Sequence, residues 1–144
     1  MTRLDRVKRV DPSQADGYAE LGRRLLHAGR AIVEQGDPRH TSALAILSIH
    51  AAIAFADAVT IHSAGRKSTS ADHHAAPRLL SATLGDRVPP AIGTALARLV
   101  AEKDRFEYQG HLATMREGQS LYAHAERIGA WADGVLIATR RSNG

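Results

Sequence analysis

Apolar residues recur along the chain with the three-to-four-residue period of an amphipathic α-helix, in segments separated by turn residues. The first segment opens with Asp11-Pro12, an N-cap followed by a proline at the first helical position, and closes at Gly36. This pattern predicts a helix whose apolar stripe consists of Leu21, Leu25, Ala28 and Ile32.

The second segment begins with the same Asp-Pro pair at positions 37 and 38 and ends at Gly65. The predicted helix runs through Ala43 to Ser63, and its middle is apolar on nearly every side. A helix that is apolar all round is buried on all sides. We therefore expect this helix to be the centre of the fold.

Two further helices follow. A short third helix is predicted from residues 70–72 to Gly85, and a fourth from Pro89-Pro90 to Gly110. The fourth carries its apolar residues on one side, at positions Ile92, Leu96, Leu99 and Phe106.

The fifth segment begins at Thr114, which has the capping-box spacing to Glu117. Its apolar stripe continues through Leu121, Ala125, Ile128, Ala132 and Val135. This predicts a long amphipathic helix that packs one side against the core.

No stretch alternates with period two beside hairpin turn residues, so no sheet is expected, and residues 66–69 are predicted to form a loop. Short connections between long helices favour antiparallel neighbours. We predict an all-α, up-and-down bundle of four long helices plus one short helix. It forms a single domain over residues 1–144, with a core of about 12–139 and basic flexible tails at both ends.

Charge and composition limit the partners and cofactors that the protein is expected to bind. A net charge of +4 and an isoelectric point near 10.0 favour acidic partners such as RNA. The chain has no cysteine, which excludes disulfides and thiolate metal sites and fits a reducing cytoplasmic setting. No His-Glu-x-x-His pattern is present, so neither a metal nor another cofactor is expected. The best apolar stretch, residues 41–56, is interrupted at Asp57, and we expect a buried helix and no membrane partner.

Two charged residues fall within apolar patterns. Lys103 interrupts the stripe of the fourth helix, and Asp57 lies in an otherwise apolar part of the second. A buried carboxylate requires a partner, which makes an Asp57–Lys103 ion pair between the helices a plausible expectation. Two alternatives stay open: the Lys103 ammonium reaches the surface along its own stem, or both residues belong to a polar ligand pocket.

Two local motifs carry a family resemblance. The first is the small-residue run from His50 to Ala58 (His-Ala-Ala-Ile-Ala-Phe-Ala-Asp-Ala), followed by Gly65 and then Asp72-His73. The second is Lys-Asp-Arg-Phe-Glu-Tyr at residues 103–108, similar to an Arg-x-x-x-Asp-Tyr signature before a last long helix. In their order and spacing, over about residues 15–138, these motifs resemble the HEPN superfamily of nucleotide-binding helical domains.

The resemblance implies a helical domain that acts on or binds RNA, as a homodimer. Many HEPN proteins are ribonucleases with an Arg followed, after four to six residues, by a His; others are non-catalytic partners in toxin–antitoxin or nucleotidyltransferase modules. Here Lys103 stands where the family often has Arg, and Glu107-Tyr108 stand where the ribonucleases have His. In that register the imidazole needed for proton transfer is missing.

Two other pairs satisfy the Arg-to-His spacing. They are Arg66 with His73 and Arg105 with His111, and an arginine-rich chain supplies such spacings by chance. Arg105 and His111 are the better placed pair, because they flank the end of the fourth helix, although Gly110 intervenes.

The leading hypothesis from sequence is a HEPN-like domain that binds RNA or a nucleotide without catalysis. Its candidate ligand pocket combines Asp57, Arg66, Lys103, Glu107 and Tyr108 with His73. One alternative is a metal-independent endoribonuclease, toxin-like, whose catalytic residues come from Arg105, His111 and His73. Another is an antitoxin or other partner-binding helical module.

Overall fold

The structure, a computed structural model, describes residues 6–70, 72 and 74–143, with side chains described as far as residue 138. It is 81% helical, as expected for the predicted all-α class. The described residues form the helices α1 (Ala15–Gln35), α2 (Thr41–Ala64), α3 (Ala75–Leu84), α4 (Pro90–Glu107) and α5 (Met115–Asn143), and the strands β1 (Val7–Arg9) and β2 (Arg66–Ser68).

The predicted Asp-Pro helix starts are confirmed, although each opens a short 3₁₀ turn that leads into the α-helix. Asp11 Oδ1 accepts the Ser13 N–H at 2.9 Å, and Asp37 Oδ1 accepts the Arg39 N–H at 2.9 Å. α2 ends at Gly65, whose φ of 62° is a left-handed conformation that glycine adopts without strain. These boundaries depend on local chemistry, which the sequence displays.

The prediction that the second helix is central is confirmed. α2 packs against each of the other four helices, and 14 of its 18 residues from Leu44 to Ile61 are buried. The main core joins it to α3, α4 and α5, with Phe55, Ile49, Leu96, Leu99 and Ile128 among the fully buried side chains.

By length and composition alone, the segment Pro38–Ala64 could cross a membrane, because its 18-residue apolar window has a mean hydropathy of 2.0. Length and composition alone therefore do not distinguish this helix from a membrane span. However, 78% of the apolar window is buried by the rest of the chain, as in a core helix. The apolar surface of α2 is thus covered by the neighbouring helices.

The predicted apolar stripe of α1 is only partly right: Leu25 packs against the core, but Leu21 and Ala28 are exposed. Leu21 is 50% exposed, and the residues that α1 buries are small ones: Ala15, Ala19, Gly22 and Gly29. A β-carbon added at Gly22 would lie 2.7 Å from the Phe55 ring. The helix turns its small residues inward because the α1 and α2 backbones approach too closely for larger side chains.

The expectation of no sheet is also wrong, as is that of a flexible tail over residues 6–10 and a loop at 66–69. β1 and β2 form an antiparallel ribbon with Val7 opposite Ser68, Lys8 opposite Lys67 and Arg9 opposite Arg66. Each strand has three residues, too few for a period-two pattern to be visible in the sequence. Residues 1–5 lie outside the described part of the chain.

Candidate functional site

Arg105 and His111 meet at the corner between the end of α4 and the start of α5. Arg105 Nη2 lies 2.7 Å from His111 Nε2 and donates to Glu117 Oε2 at 2.7 Å, and Arg105 Nη1 donates to Glu102 Oε2 at 3.0 Å. We call Arg105, His111 and Glu117 the corner triad. The pair favoured by location in the sequence is thus in direct contact.

The loop between α4 and α5 is folded by local chemistry that brings His111 back to Arg105. Gly110 has a φ of 67°, a left-handed turn position that a residue with a side chain adopts only at a cost. The predicted capping box is confirmed: the Thr114 N–H donates to Glu117 Oε1 at 3.0 Å, and the Glu117 N–H donates to Thr114 Oγ1 at 3.1 Å. Glu117 therefore fixes the start of α5 and also faces Arg105.

The loop is also tied to the start of α2. The Thr41 hydroxyl donates to the Ala113 carbonyl oxygen, and the Ala113 N–H donates to Ser42 Oγ at 3.0 Å. Thr41 is buried. The corner triad thus stands on a supported loop that three helices hold in place.

The hydrogen bonds of the corner triad constrain the tautomer of a neutral His111 ring and the charge of Glu117. An arginine N–H is always a donor, so its contact with His111 Nε2 requires a lone pair there and places the proton of the neutral ring on Nδ1. The pKa of the Glu117 carboxyl is lowered to about 2, chiefly by the Thr114 backbone hydrogen bond and also by the Thr114 side chain and the Arg105 charge. Glu117 is therefore an anion at any physiological pH.

All three side chains reach solvent. The exposed fractions are 41% for Arg105, 37% for His111 and 28% for Glu117. A cavity of about 90 Å³ lies beside them, and Arg105 and Glu117 line it together with Arg98, Glu102, Phe106, Ser120 and Leu121. His111 is outside the cavity wall and packs on the Phe106 ring, 5.3 Å between centroids. A solute can thus reach the triad directly.

Positive charge continues along the groove between α4 and α5. The pKa of His124 on α5 is lowered by burial and by the nearby guanidinium groups of Arg127 and Arg98. Arg98 and Arg105 are two helical turns apart on α4, which places their Cα atoms about 10 Å from each other.

A second polar cluster lies on the opposite side of α4. Glu107 Oε1 is 2.8 Å from His50 Nε2 on α2, and Glu107 Oε2 is 3.5 Å from Lys103 Nζ. Because Arg105 and Glu107 are two positions apart on a helix, their side chains point in nearly opposite directions. The two clusters are separate surfaces.

The expected Asp57–Lys103 ion pair is wrong. Asp57 Oδ2 instead faces Lys67 Nζ, at 3.7 Å, and Lys103 pairs with Glu107. Lys67 comes from β2, a strand that the sequence did not indicate. Asp57 and Lys103 do line one cavity of about 270 Å³, together with Ile53, Lys67, Ser68, Thr69, Ser70, Asp72 and Ala76. Burial raises the pKa of Asp57 to about 6, and the nearby Lys67 acts against that shift.

The predicted site residues therefore do not form one pocket. Arg66 lies exposed on β2, and Tyr108 caps α4 with 65% of its surface exposed. His73 is outside the described residues. Sequence reasoning missed Glu117 as a site residue, although its capping-box spacing to Thr114 was visible; Lys67 gave no signal, because its role depends on strand pairing.

Within the described part of the chain, no group of three or more His, Asp or Glu side chains is arranged to hold a metal ion. Comparisons with known proteins return nothing: no family model, no curated protein and no solved structure matches the chain.

Proposed function

We propose that the protein is a HEPN-like RNA-binding domain, its four long helices arranged as an up-and-down bundle, that cleaves RNA without a metal at the corner triad. The observation that carries this proposal is the 2.7 Å contact between Arg105 Nη2 and His111 Nε2 on an accessible surface. It joins the two side-chain types that RNA cleavage through the 2′-hydroxyl needs, a phosphate-binding cation and a base.

Substrate binding frees the base. Arg105 is the donor that occupies the His111 Nε2 lone pair in the free protein. A phosphodiester offers anionic oxygens, which are stronger acceptors for a guanidinium than a neutral ring nitrogen. When Arg105 turns to the phosphate, the Nε2 lone pair becomes available to a 2′-hydroxyl on the same nucleotide.

In the chemical step, His111 Nε2 takes the proton of the 2′-hydroxyl while the 2′-oxygen attacks phosphorus. The bond from phosphorus to the 5′-oxygen breaks, and that oxygen takes a proton from water. The hydroxide left behind is neutralised by the proton that His111 releases, which restores the neutral ring. The products are a 2′,3′-cyclic phosphate and a 5′-hydroxyl end. Arg105 stabilises the charge that develops on the phosphoryl oxygens.

Glu117 assists after proton transfer. Its Oε1 lies 3.4 Å from His111 Nε2, a position from which it accepts the N–H that the imidazolium acquires. Its lowered pKa keeps it charged, so it stabilises the imidazolium electrostatically as well.

Neighbouring residues suit a single-stranded substrate. Tyr108 exposes its ring three positions before His111, where it offers a surface for base stacking. Arg98 lies two helical turns along α4 from Arg105 and offers a contact to an adjacent phosphate.

The test is a cleavage assay on mixed-sequence labelled RNA with EDTA present. We expect the native protein to cleave, and His111→Ala to lose roughly 10² to 10⁴-fold in rate, the range for removal of a general base. Arg105→Ala should lose about 10² to 10³-fold, as for removal of a group that stabilises transition-state charge. Analysis of the 3′ ends should identify the cyclic phosphate.

His27→Ala is the matched control, because His27 is an exposed histidine of α1 with no role in the corner. It should cleave at the native rate. Helix content and thermal melting are compared for all variants to exclude unfolding. Full activity in folded His111→Ala, or RNA binding without cleavage by the native chain, would contradict the proposal; the second result would leave the non-catalytic binding domain.

The homodimer, the cytoplasmic location and an antitoxin-type partner protein stay predictions from sequence. The homodimer can be checked by measuring the mass of the native chain in solution alongside the cleavage assay.

A further inference from the structure

The two-stranded ribbon places like charges directly opposite each other. Lys8 faces Lys67 and Arg9 faces Arg66 across the ribbon. Like charges in such cross-strand pairs destabilise a sheet. We call these four residues the basic ribbon.

The hydrogen-bond pattern brings the two arginines especially close. The Val10 N–H donates to the Gly65 carbonyl and the Thr69 N–H to the Arg6 carbonyl, each at 2.9 Å. Hydrogen-bonded and non-hydrogen-bonded pairs alternate along an antiparallel ladder. The two bonds belong to the pairs Val10–Gly65 and Arg6–Thr69, which lie one and three positions from Arg9–Arg66. Arg9 and Arg66 are therefore a non-hydrogen-bonded pair, the type whose side chains approach most closely.

Three of these four cations have no acidic partner among the residues that the structure describes. Among the described residues, Lys8, Arg9 and Arg66 make no ion pair, whereas arginines elsewhere, such as Arg23 and Arg30, do. Lys67 alone is paired, with Asp57, and its ammonium also lies 5.6 Å from the Tyr18 ring centre. The other three basic side chains are exposed.

The ribbon is anchored to the body of the protein. Val10, the residue after β1, is buried in a small apolar cluster with Ala15, Ala19, Ala58, Ile61 and Leu136. β2 follows directly from the Gly65 turn at the end of α2. The cations are therefore held on a fixed backbone, which reduces the entropy lost when they bind a ligand.

We propose that the basic ribbon is a second binding site for RNA, which contacts the phosphate backbone without reading sequence. Paired guanidinium groups bind phosphate oxygens through two parallel hydrogen bonds, and a phosphate between Arg9 and Arg66 relieves their repulsion. Because neighbouring residues of a strand point to opposite faces, Arg9 and Arg66 share one face of the ribbon, where a backbone phosphate contacts both. This inference rests on the proposed function only in taking RNA as the polyanion.

The site is remote from the corner triad. The triad is tied to the first residues of α2 through Ala113, and the ribbon follows its last residue. With 24 residues, α2 is about 36 Å long. RNA bound at the ribbon is thus held well away from the bond that the triad cleaves.

The experiment measures binding of a fluorescent 2′-O-methyl RNA, which has no free 2′-hydroxyl and cannot be cleaved, over a series of salt concentrations. The variant Arg9→Ala/Arg66→Ala should bind more weakly. Its plot of log affinity against log salt should be shallower by about 1.4, the change expected from two lost contacts to single-stranded phosphates. His111→Ala should keep the native slope.

The matched control is Arg24→Ala/Arg30→Ala, which removes the same charge from exposed ion pairs on α1. It should leave the slope unchanged. The ribbon variant should melt at the native temperature or above it, because a repulsion has been removed. Ribbon-dependent binding without cleavage would uphold this site while refuting the catalytic proposal.

Two results would overturn the inference. One is a ribbon variant with native RNA affinity and slope. The other is ribbon-dependent binding to phosphatidylserine vesicles with RNA binding unaffected, which would assign the ribbon to an anionic membrane surface.

Discussion

Asp57 is the single residue whose environment most alters its chemistry. It is 6% exposed within the apolar middle of α2, and burial raises the pKa of its carboxyl from 3.8 to about 6. The nearest cation, Lys67 Nζ, is 3.7 Å away and only partly offsets the desolvation. The folded protein therefore binds the Asp57 proton more tightly than the unfolded chain does.

Asp57→Asn should remove a pH dependence of stability. Between about pH 4 and pH 6 the folded state holds more protons than the unfolded state, so the unfolding free energy of the native chain falls as pH rises. A shift of about two pKa units corresponds to at most about 3 kcal/mol. The stability of Asp57→Asn relative to the native chain should thus be higher at pH 8 than at pH 4, measured by urea unfolding.

Asp86→Asn provides the control, since Asp86 is an exposed carboxylate. Its stability relative to the native chain should change little over the same range. Parallel pH profiles for Asp57→Asn and the native chain would contradict the raised pKa.

For individual residues, the sequence indicates which side chains belong to a polar site better than it indicates which side chains they contact. Arg105 and His111 could be paired from their spacing because both lie at one helix end, separated by a short loop. The partner of Asp57 could not be found, because Lys67 reaches it only through the pairing of two strands distant in the chain. Lys103 was the nearest cation in the helical pattern, and it pairs with Glu107 within its own helix.

Among the described glycines, the two with the least room for a β-carbon lie against the Phe55 ring. A β-carbon added at Gly22 on α1 would lie 2.7 Å from the ring, and one added at Gly129 on α5 would lie 2.8 Å from it. Both would meet the same ring atoms, Cε2 and Cζ. The Phe55 ring is therefore held between two glycines of neighbouring helices and has little room to move.

Gly22→Ala should destabilise the protein by about 1–3 kcal/mol, the usual cost of overpacking a well-packed core. The added methyl pushes the Phe55 ring toward Gly129 and α5, and this outweighs the gain of up to about 1 kcal/mol that alanine brings to a helix. The loss appears as a lower unfolding free energy in urea.

Gly134→Ala is the matched control on α5, because nothing lies within 4 Å of the added β-carbon. Helix propensity alone should then act, and stability should stay equal or rise by up to about 1 kcal/mol. A stabilised Gly22→Ala would show that α1 is more loosely packed than the structure indicates.

The ends of the helices could be predicted from the sequence, whereas the buried side of α1 and the ribbon could not. Helix ends follow from Asp-Pro starts, the Thr114 capping box and the terminal glycines, all within a few residues of each other. The buried side of α1 depends on how closely α2 approaches, which the spacing of Leu21 and Leu25 does not reveal. The ribbon joins residues about sixty positions apart, beyond the reach of any local pattern.

Across the whole molecule, the two proposed RNA contacts lie at opposite ends of α2. This separation gives them different effects on cleavage. In the proposal, the corner triad touches the reacting phosphate, while the basic ribbon contributes binding alone, some 36 Å away by the length of the helix. A substrate must span that distance to use both.

We therefore expect Arg9→Ala/Arg66→Ala to act on long substrates only. Two exposed contacts of up to about 1 kcal/mol each should raise KM for a long RNA by up to about thirtyfold and leave kcat unchanged, because the binding lost is the same in the ground and transition states. A trinucleotide, too short to reach from the triad to the ribbon, should be cleaved by the variant as by the native chain. A fall in kcat on the trinucleotide would instead mean that the ribbon supports the corner through the fold, since no bound RNA then connects them.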